Sequence, residues 1–210
     1  MRIIPLFTKI LEKALSNSVP LALLLQKYYE PIVRKEVRLG EIKEKDRVIC
    51  IGGGALPWTA IEIAKQSGAN VEVIDCDQRA VKLAKKFLKL LKLDDQVKVS
   101  LGDGQTIDAS KYSVAHIALQ ASPQDKILKH LLECSQTNTR ILIRCPKKGI
   151  SCLYGNCIQN RSYESTSTEQ TNSTMKSTLL VVKDPRSDQY KKNRSLSNRN
   201  HNDYSLTMER

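Results

Sequence analysis

The sequence predicts a doubly wound α/β fold, in which helices cover both faces of a mostly parallel β-sheet. Between residues 47 and 144, short apolar runs alternate with helical segments of about a dozen residues, the spacing typical of parallel strands. Three consecutive glycines follow the first apolar run, where such folds turn from strand to helix. The chain of 210 residues has the length of one domain with short appendages.

The segment before the first strand is predicted to be helical. Apolar residues recur at helical spacing over residues 3–15 and again over residues 21–33. Pro31 is expected to introduce a kink or a new helix start, and Gly40 to end the segment. We therefore assign residues 1–46 to an N-terminal helical region.

The first strand and its helix surround a glycine turn. Residues 48–51 form the apolar strand, and Gly52, Gly53 and Gly54 follow it directly. Pro57 suits the first turn of a helix, because its ring holds φ near the helical value. The helix is expected to stop at Gly68.

Four further strands complete the predicted parallel sheet. Asp77 is expected to cap the helix that follows the second strand, because its carboxylate can accept free N–H groups of the first turn. Another helix is predicted over residues 123–132. The four strands are placed at residues 71–74, 97–99, 116–119 and 140–144.

Beyond Pro146 the alternation stops. Residues 159–178 are rich in Ser, Thr, Asn and Gln, and residues 178–183 give one more strand. A polar hairpin after a parallel sheet predicts an antiparallel edge strand. Residues 184–210 are polar and lack periodicity, so we expect a disordered tail. The main domain then covers residues 47–183.

The composition makes some classes of protein less favoured than others. The formal net charge is +12, from 34 basic and 22 acidic residues, so nucleic acid is a conceivable partner. Nucleic-acid binding is not favoured, because aromatic residues make up only 5% of the chain. No segment has the pattern of a membrane span or a signal peptide, and the expected location is the cytoplasm. The oligomeric state is left open, with a homodimer as one alternative.

The cysteines and histidines do not predict a metal site. Cys145, Cys152 and Cys157 lack the spacing of zinc ligands, and the histidines are scattered along the chain. His116 lies in a predicted strand and is expected to be buried structure rather than a base.

Three groups of residues predict a cofactor crevice at the carboxyl ends of three strands. The glycine turn lets a ligand approach the backbone without meeting a Cβ atom. Asp75 ends the second strand, where its carboxylate can accept hydrogen bonds from both ribose hydroxyls of an adenosine ligand. Asp103 follows the third strand, where a polar side chain can meet an adenine edge. The predicted cofactor-binding residues are Gly52, Gly53, Gly54, Leu56, Pro57, Asp75, Cys76, Gly102, Asp103 and Gly104.

The motifs favour S-adenosylmethionine as that adenosine ligand. A dinucleotide site requires a third glycine where this chain has Pro57, and the phosphate-binding motif of triphosphate sites is absent. S-adenosylmethionine has no phosphate, and a parallel sheet that ends in an antiparallel hairpin is typical of class I methyltransferases. The sequence therefore predicts a class I methyltransferase fold that binds S-adenosylmethionine.

The glycine turn also resembles a narrower family. The run Ile51-Gly-Gly-Gly-Ala-Leu-Pro-Trp-Thr-Ala60 is similar to the G-[SG]-G-P-L-P-x-T signature of nicotianamine synthases, with Ala55 where the family has proline. The resemblance covers roughly residues 28–183 and is closest to the archaeal members. Other matching stretches are residues 35–36, 39–40, 139–144, 149–154, 172–174 and 179–183.

This resemblance implies a reaction and a set of catalytic residues. Nicotianamine synthases transfer a 3-amino-3-carboxypropyl group from S-adenosylmethionine to an amine, which builds a metal-chelating small molecule. Glu36 matches the acidic residue that serves the attacking amine, and it is expected at the mouth of the crevice. Tyr28 and Tyr29 are candidates for the catalytic tyrosine because they lie near Glu36. The implied partner is a small-molecule amine or amino acid.

Three alternatives remain open at this point. Glu36 could be an ordinary solvated helix glutamate. The chain could be a methyltransferase acting on a small molecule or RNA, because the sequence does not show which carbon beside the sulfur faces the acceptor. It could also be a non-catalytic basic domain that binds nucleic acid.

Overall fold

The computed structural model describes residues 19–147, 165–170 and 175–184. The first predicted helix, the family matches at 149–154 and 172–174, and nearly all of the predicted tail lie outside these ranges. Within them the chain forms helices α1 (Val19–Leu39), α2 (Trp58–Ser67), α3 (Gln78–Leu90) and α4 (Gln124–Cys134). The strands are β1 (Arg47–Ile51), β2 (Asn70–Asp75), β3 (Val97–Leu101), β4 (Val114–Ile117), β5 (Arg140–Pro146), β6 (Ser165–Glu169) and β7 (Met175–Val182).

The strands form one seven-stranded sheet in the order β3-β2-β1-β4-β5-β7-β6. Strand β1 pairs in parallel with β2 on one side and with β4 on the other. The pairs β2–β3 and β4–β5 are also parallel. The strand order therefore reverses between β1 and β4, and open α/β sheets bind ligands beyond the carboxyl ends of strands at such a point. The predicted doubly wound sheet is confirmed.

The sheet ends in two antiparallel strands. Strand β7 pairs with β5, and β6 pairs with β7, both in antiparallel orientation. The predicted strand over residues 178–183 is part of β7, but it lies inside the sheet and β6 forms the outer edge. The sequence of β6, Ser-Thr-Ser-Thr-Glu, has no apolar residue, so hydrophobic periodicity did not indicate a strand there.

Helices cover both faces of the sheet, as predicted. One buried apolar cluster joins α1, α2 and α3 to one face, and a second joins α4 to the other face. Successive side chains of β1 alternate between the two clusters: Val48 belongs to the first and Ile49 to the second, and both are 0% exposed. This packing fixes the carboxyl end of β1, where the glycine turn begins.

The helix ends agree with most of the predicted signals. The Asp77 carboxylate accepts a hydrogen bond from the Arg79 N–H at 2.8 Å, and Gly68 ends α2 with φ at 75°. The N–H of Gly40 donates to the Glu36 carbonyl at 2.9 Å as α1 ends. Of the two alternatives expected at Pro31, a kink or a new helix start, the new start is wrong, because α1 continues through that residue. Among the described residues, none of the helices combines the length and apolarity needed to cross a membrane.

Candidate active site

The glycine turn and Asp75 are joined by hydrogen bonds at the carboxyl end of the sheet. One carboxylate oxygen of Asp75 accepts the N–H of Gly54 at 2.7 Å, and the other accepts the N–H of Asp77 at 2.9 Å. The N–H of Gly52 donates to the Ile74 carbonyl at 2.9 Å. The loops after β1 and β2 are therefore held against each other, as the sequence predicted.

Glycine occurs at this edge of the sheet for different structural reasons at different positions. A Cβ atom on Gly53 would lie 2.1 Å from a methyl carbon of Val73, and one on Gly104 would lie 2.6 Å from Ile51. For these two residues, close packing against the sheet is a sufficient reason for glycine. Gly54 differs, because its nearest neighbour would be the Gln120 side-chain nitrogen at 4.0 Å. Its φ of 64° also favours glycine.

The loop after β3 lies beside the same edge. The N–H of Gly102 donates to the Asp75 carbonyl at 3.1 Å, which places residues 102–104 next to the end of β2. The Asp103 carboxylate accepts the Gln105 N–H at 2.8 Å within its own turn. Cys76 is exposed between these loops. The structure thus brings the three predicted groups of residues to one place.

Negative charge surrounds the exposed thiol. Partial burial, together with the carboxylates of Asp75, Asp103 and Asp77, raises the pKa of Cys76 above its usual value. The thiol is therefore protonated at neutral pH. Of the other predicted cofactor-binding residues, Leu56 packs against the cluster beneath α1 to α3, and Pro57 is buried at the start of α2.

Glu36 is the centre of a buried hydrogen-bond network. It is 0% exposed, so its expected position at the mouth of the crevice is wrong, and so is the alternative of a solvated glutamate. Oε1 accepts bonds from Arg144 Nε at 2.7 Å and from the Thr178 hydroxyl at 2.8 Å. Oε2 accepts bonds from Arg144 Nη2 at 2.7 Å and lies 3.2 Å from His116 Nε2. Four donors therefore occupy the four acceptor positions of the carboxylate.

The charges in this network are fixed by their neighbours. Burial alone would raise the pKa of Glu36, but Arg144 and His116 outweigh burial and hold the pKa well below its usual range. Burial lowers the pKa of His116, so its ring is neutral. Because a carboxylate only accepts, Nε2 of His116 carries the proton and Nδ1 is an acceptor, which has no hydrogen-bond partner among the described residues. His116 is 1% exposed, which confirms the prediction that it is buried.

Arg144 connects the network to the predicted crevice. Its Nη1 donates to the Thr59 hydroxyl at 2.9 Å, and Thr59 is half-buried in the first turn of α2, two residues after Pro57. The guanidinium carbon lies 5.8 Å from the centre of the Tyr29 ring. Tyr28 contacts the Tyr29 ring edge-on at 5.2 Å and is 38% exposed. The structure therefore places Tyr29 beside the ion pair and leaves Tyr28 at the surface.

The site also contains three residues that were not predicted from the sequence: Arg144, Thr59 and Thr178. A charged residue inside the apolar run of β5 was a usable signal for Arg144, because an arginine buried in a strand needs a partner. The two threonines gave no signal, because threonine is common in strands and at helix starts. Among the described residues, no group of three or more His, Cys, Asp or Glu side chains could hold a metal ion.

The chain matches a protein-family model and several known proteins. The model of the spermine/spermidine synthase domain matches residues 27–180. L-histidine 2-aminobutanoyltransferase of Yersinia pestis is 33% identical over 118 residues, which cover 53% of this chain and 42% of that protein. The protein of the same name in Pseudomonas aeruginosa is 24% identical over 116 residues, covering 53% and 43%. The chain thus matches less than half of the length of these relatives.

Solved structures share the fold. MtNAS in complex with MTA and tNA superposes with a TM-score of 0.71 at 24% identity, covering 83% of this chain and 68% of that chain. An RNA methyltransferase from Salinibacter ruber in complex with S-adenosyl-L-homocysteine gives a TM-score of 0.60 at 20% identity, covering 74% and 92%. Because the family model extends from α1 through β7 and includes the glycine turn, Asp75 and the Glu36–Arg144 pair, the chain belongs to the spermine/spermidine synthase domain family.

Proposed function

We propose that the chain is an S-adenosylmethionine-dependent transferase that moves an aminoalkyl group, the 3-amino-3-carboxypropyl group, to the amine of a small molecule or amino acid. The observation that carries the proposal is the clamp between Asp75 and the glycine turn, at the point where the strand order reverses. Membership of the spermine/spermidine synthase domain family supports it. The curated relatives are named for transfer of an aminobutanoyl group to L-histidine, which favours an amino acid as the acceptor.

The residues of the crevice fit a nucleoside with an unphosphorylated ribose. Each oxygen of Asp75 accepts one backbone N–H, so each keeps a lone pair that can accept a ribose hydroxyl. Open space at Gly54 lets the ligand lie against the backbone. No cluster of basic side chains is needed here, because S-adenosylmethionine carries no phosphate. When bound, it supplies a sulfonium whose neighbouring carbons are electrophilic.

The protein has two tasks in such a transfer. It must hold the acceptor nitrogen in line with the carbon–sulfur bond, and it must take a proton from the acceptor ammonium. We assign the second task to Glu36, which matches the acidic residue of nicotianamine synthases. Tyr29 lies beside the same ion pair and is the better of the two tyrosine candidates for contact with the acceptor. The resemblance to nicotianamine synthases favours a metal-chelating product.

The reaction is tested by the identity of the nucleoside product. Purified protein is incubated with S-adenosylmethionine and either histidine or a pool of amino-acid acceptors, and the products are analysed by mass spectrometry. Aminocarboxypropyl transfer leaves methylthioadenosine, whereas methyl transfer leaves S-adenosylhomocysteine. We expect methylthioadenosine. Finding only S-adenosylhomocysteine would overturn the proposal and assign the chain to methyl transfer.

A further inference from the structure

The contacts of Glu36 conflict with the task of a base. All four acceptor positions of its carboxylate are filled, two of them by Arg144. A carboxylate held by a buried guanidinium has no free lone pair and little affinity for a proton. The proposed proton transfer therefore requires an event that removes Arg144 from Glu36.

The geometry points to Arg144 as the receptor for the carboxylate of an amino-acid substrate, whose binding draws the guanidinium away from Glu36 and frees Glu36 to accept the proton of the acceptor ammonium. This inference rests on the proposed function. Arg144 is a positioning residue for Glu36 and a binding residue for the substrate.

Arg144 has the chemistry and the location for this task. A guanidinium has five N–H groups and binds a carboxylate through two of them at once. Glu36 and Thr59 use three of these groups, so one N–H on Nη1 and one on Nη2 remain for a second carboxylate. Thr59 is half-buried in the first turn of α2, directly after the glycine turn. The guanidinium thus lies between the buried glutamate and the crevice.

The groups around Glu36 favour proton uptake once Arg144 has moved. Strand β4 presents the neutral His116, β7 presents the Thr178 hydroxyl, and β1 presents the Cys50 thiol, whose pKa burial raises to about 12. Of the described groups that face Glu36, Arg144 is the only one with a positive charge. Without that charge, burial raises the pKa of the glutamate toward that of an amine.

The bond changes balance within this arrangement. The acceptor ammonium loses one proton to a Glu36 oxygen, and the freed nitrogen lone pair forms the new carbon–nitrogen bond. The carbon–sulfur bond breaks, and its electron pair neutralises the sulfonium sulfur. The leaving group is a neutral thioether.

The test compares ligands that differ only in a carboxylate. The donor pair is S-adenosylmethionine and its decarboxylated form. The acceptor pair is histidine and histamine, each titrated in the presence of methylthioadenosine. Calorimetry gives a discrimination ratio for each pair, the dissociation constant without the carboxylate divided by the constant with it. The two pairs distinguish a donor carboxylate from an acceptor carboxylate as the group that Arg144 binds.

Two variants move this ratio in opposite directions. Glu36→Gln keeps the shape of the side chain but no longer competes as an anion for Arg144, so we expect the ratio of one pair to rise about tenfold. Arg144→Lys replaces the planar fork with a point charge and should lower the same ratio about tenfold. Binding of methylthioadenosine, which has no carboxylate, should be unchanged in both and shows that the crevice is intact. A merely structural ion pair would not raise affinity in Glu36→Gln.

The outcomes separate this inference from the proposed function. Ratios that stay unchanged in both variants for both pairs would overturn the inference, even if methylthioadenosine is the product. If Glu36→Gln does not fold, unchanged ratios in Arg144→Lys for both pairs would by themselves overturn the inference. If wild-type protein binds S-adenosylmethionine but forms no methylthioadenosine, the proposed function is overturned. The binding ratios still test whether Arg144 binds a substrate carboxylate.

Discussion

Replacing Asp75 with alanine tests the clamp at the centre of the proposed cofactor site. The change removes the acceptor of the Gly54 N–H and of the Asp77 N–H, as well as the acceptor proposed for the ribose hydroxyls. A hydrogen bond to a charged group contributes about 1.5–3 kcal/mol, so the affinity for S-adenosylmethionine should fall roughly 10- to 100-fold. Loss of the two backbone contacts should also lower the free energy of unfolding by about 1–3 kcal/mol.

Asp77→Ala is the matched control for this experiment. Asp77 lies two residues away and caps α3 through the Arg79 N–H, without contact to the glycine turn through its own carboxylate. Its loss should lower the free energy of unfolding by about 1 kcal/mol and leave the affinity unchanged. Titration calorimetry measures the affinity, and urea denaturation measures the stability. Unchanged affinity in Asp75→Ala would remove Asp75 from the site, and equal weakening in both variants would refute the distinction between clamp and cap.

Four further single variants and one double variant test other parts of the structure. Arg144→Met leaves the buried Glu36 without its cation and should lower the free energy of unfolding by about 3–5 kcal/mol. Adding Glu36→Gln to the same chain should restore most of this loss. Equal stability of the single and double variants in urea denaturation would contradict this expectation. Asp46 is held below its usual pKa of 3.8, since the Lys43 N–H, the Ser113 hydroxyl and Arg140 outweigh the effect of burial. Its stabilisation is therefore complete above pH 3.8 and is lost as the pH falls through the folded-state value, so the melting-temperature deficit of Asp46→Asn should shrink on acidification. Gly104→Ala forces a Cβ atom to within 2.6 Å of Ile51 and should destabilise the fold by about 1–3 kcal/mol with unchanged cofactor affinity. Gly54→Ala places its Cβ in open space, so calorimetry should instead show weaker cofactor binding.

The parallel part of the fold was predictable because its signals are local. Strand β1 is an unbroken apolar run, Asp77 is a helix cap, and Gly68 is a helix stop, so each can be recognised within a few residues. Strand β6 was not predictable in this way. It is stabilised by backbone pairing with β7 at the edge of the sheet, and its polar side chains carry no periodic signal.

The site was predictable only where its residues directly follow the ends of strands. The glycine turn and Asp75 lie at strand ends, so the order of strands along the chain is enough to bring them together. The surroundings of Glu36 depend on three partners from distant strands. Nothing in the sequence near Glu36 distinguishes a solvated glutamate from one that is 0% exposed.

The spacing of those partners along the chain has a consequence for biosynthesis. His116, Arg144 and Thr178 follow Glu36 by 80, 108 and 142 residues. During translation, the buried carboxylate therefore has no cation until β5 has emerged from the ribosome, and its last donor arrives only with β7. Since contacts at such separations form late and slowly, a chain that ends before β5 lacks the cation that compensates this carboxylate. Chains that end before β5 should consequently be substrates for quality-control proteases, and chains that end before β7 still lack the Thr178 donor.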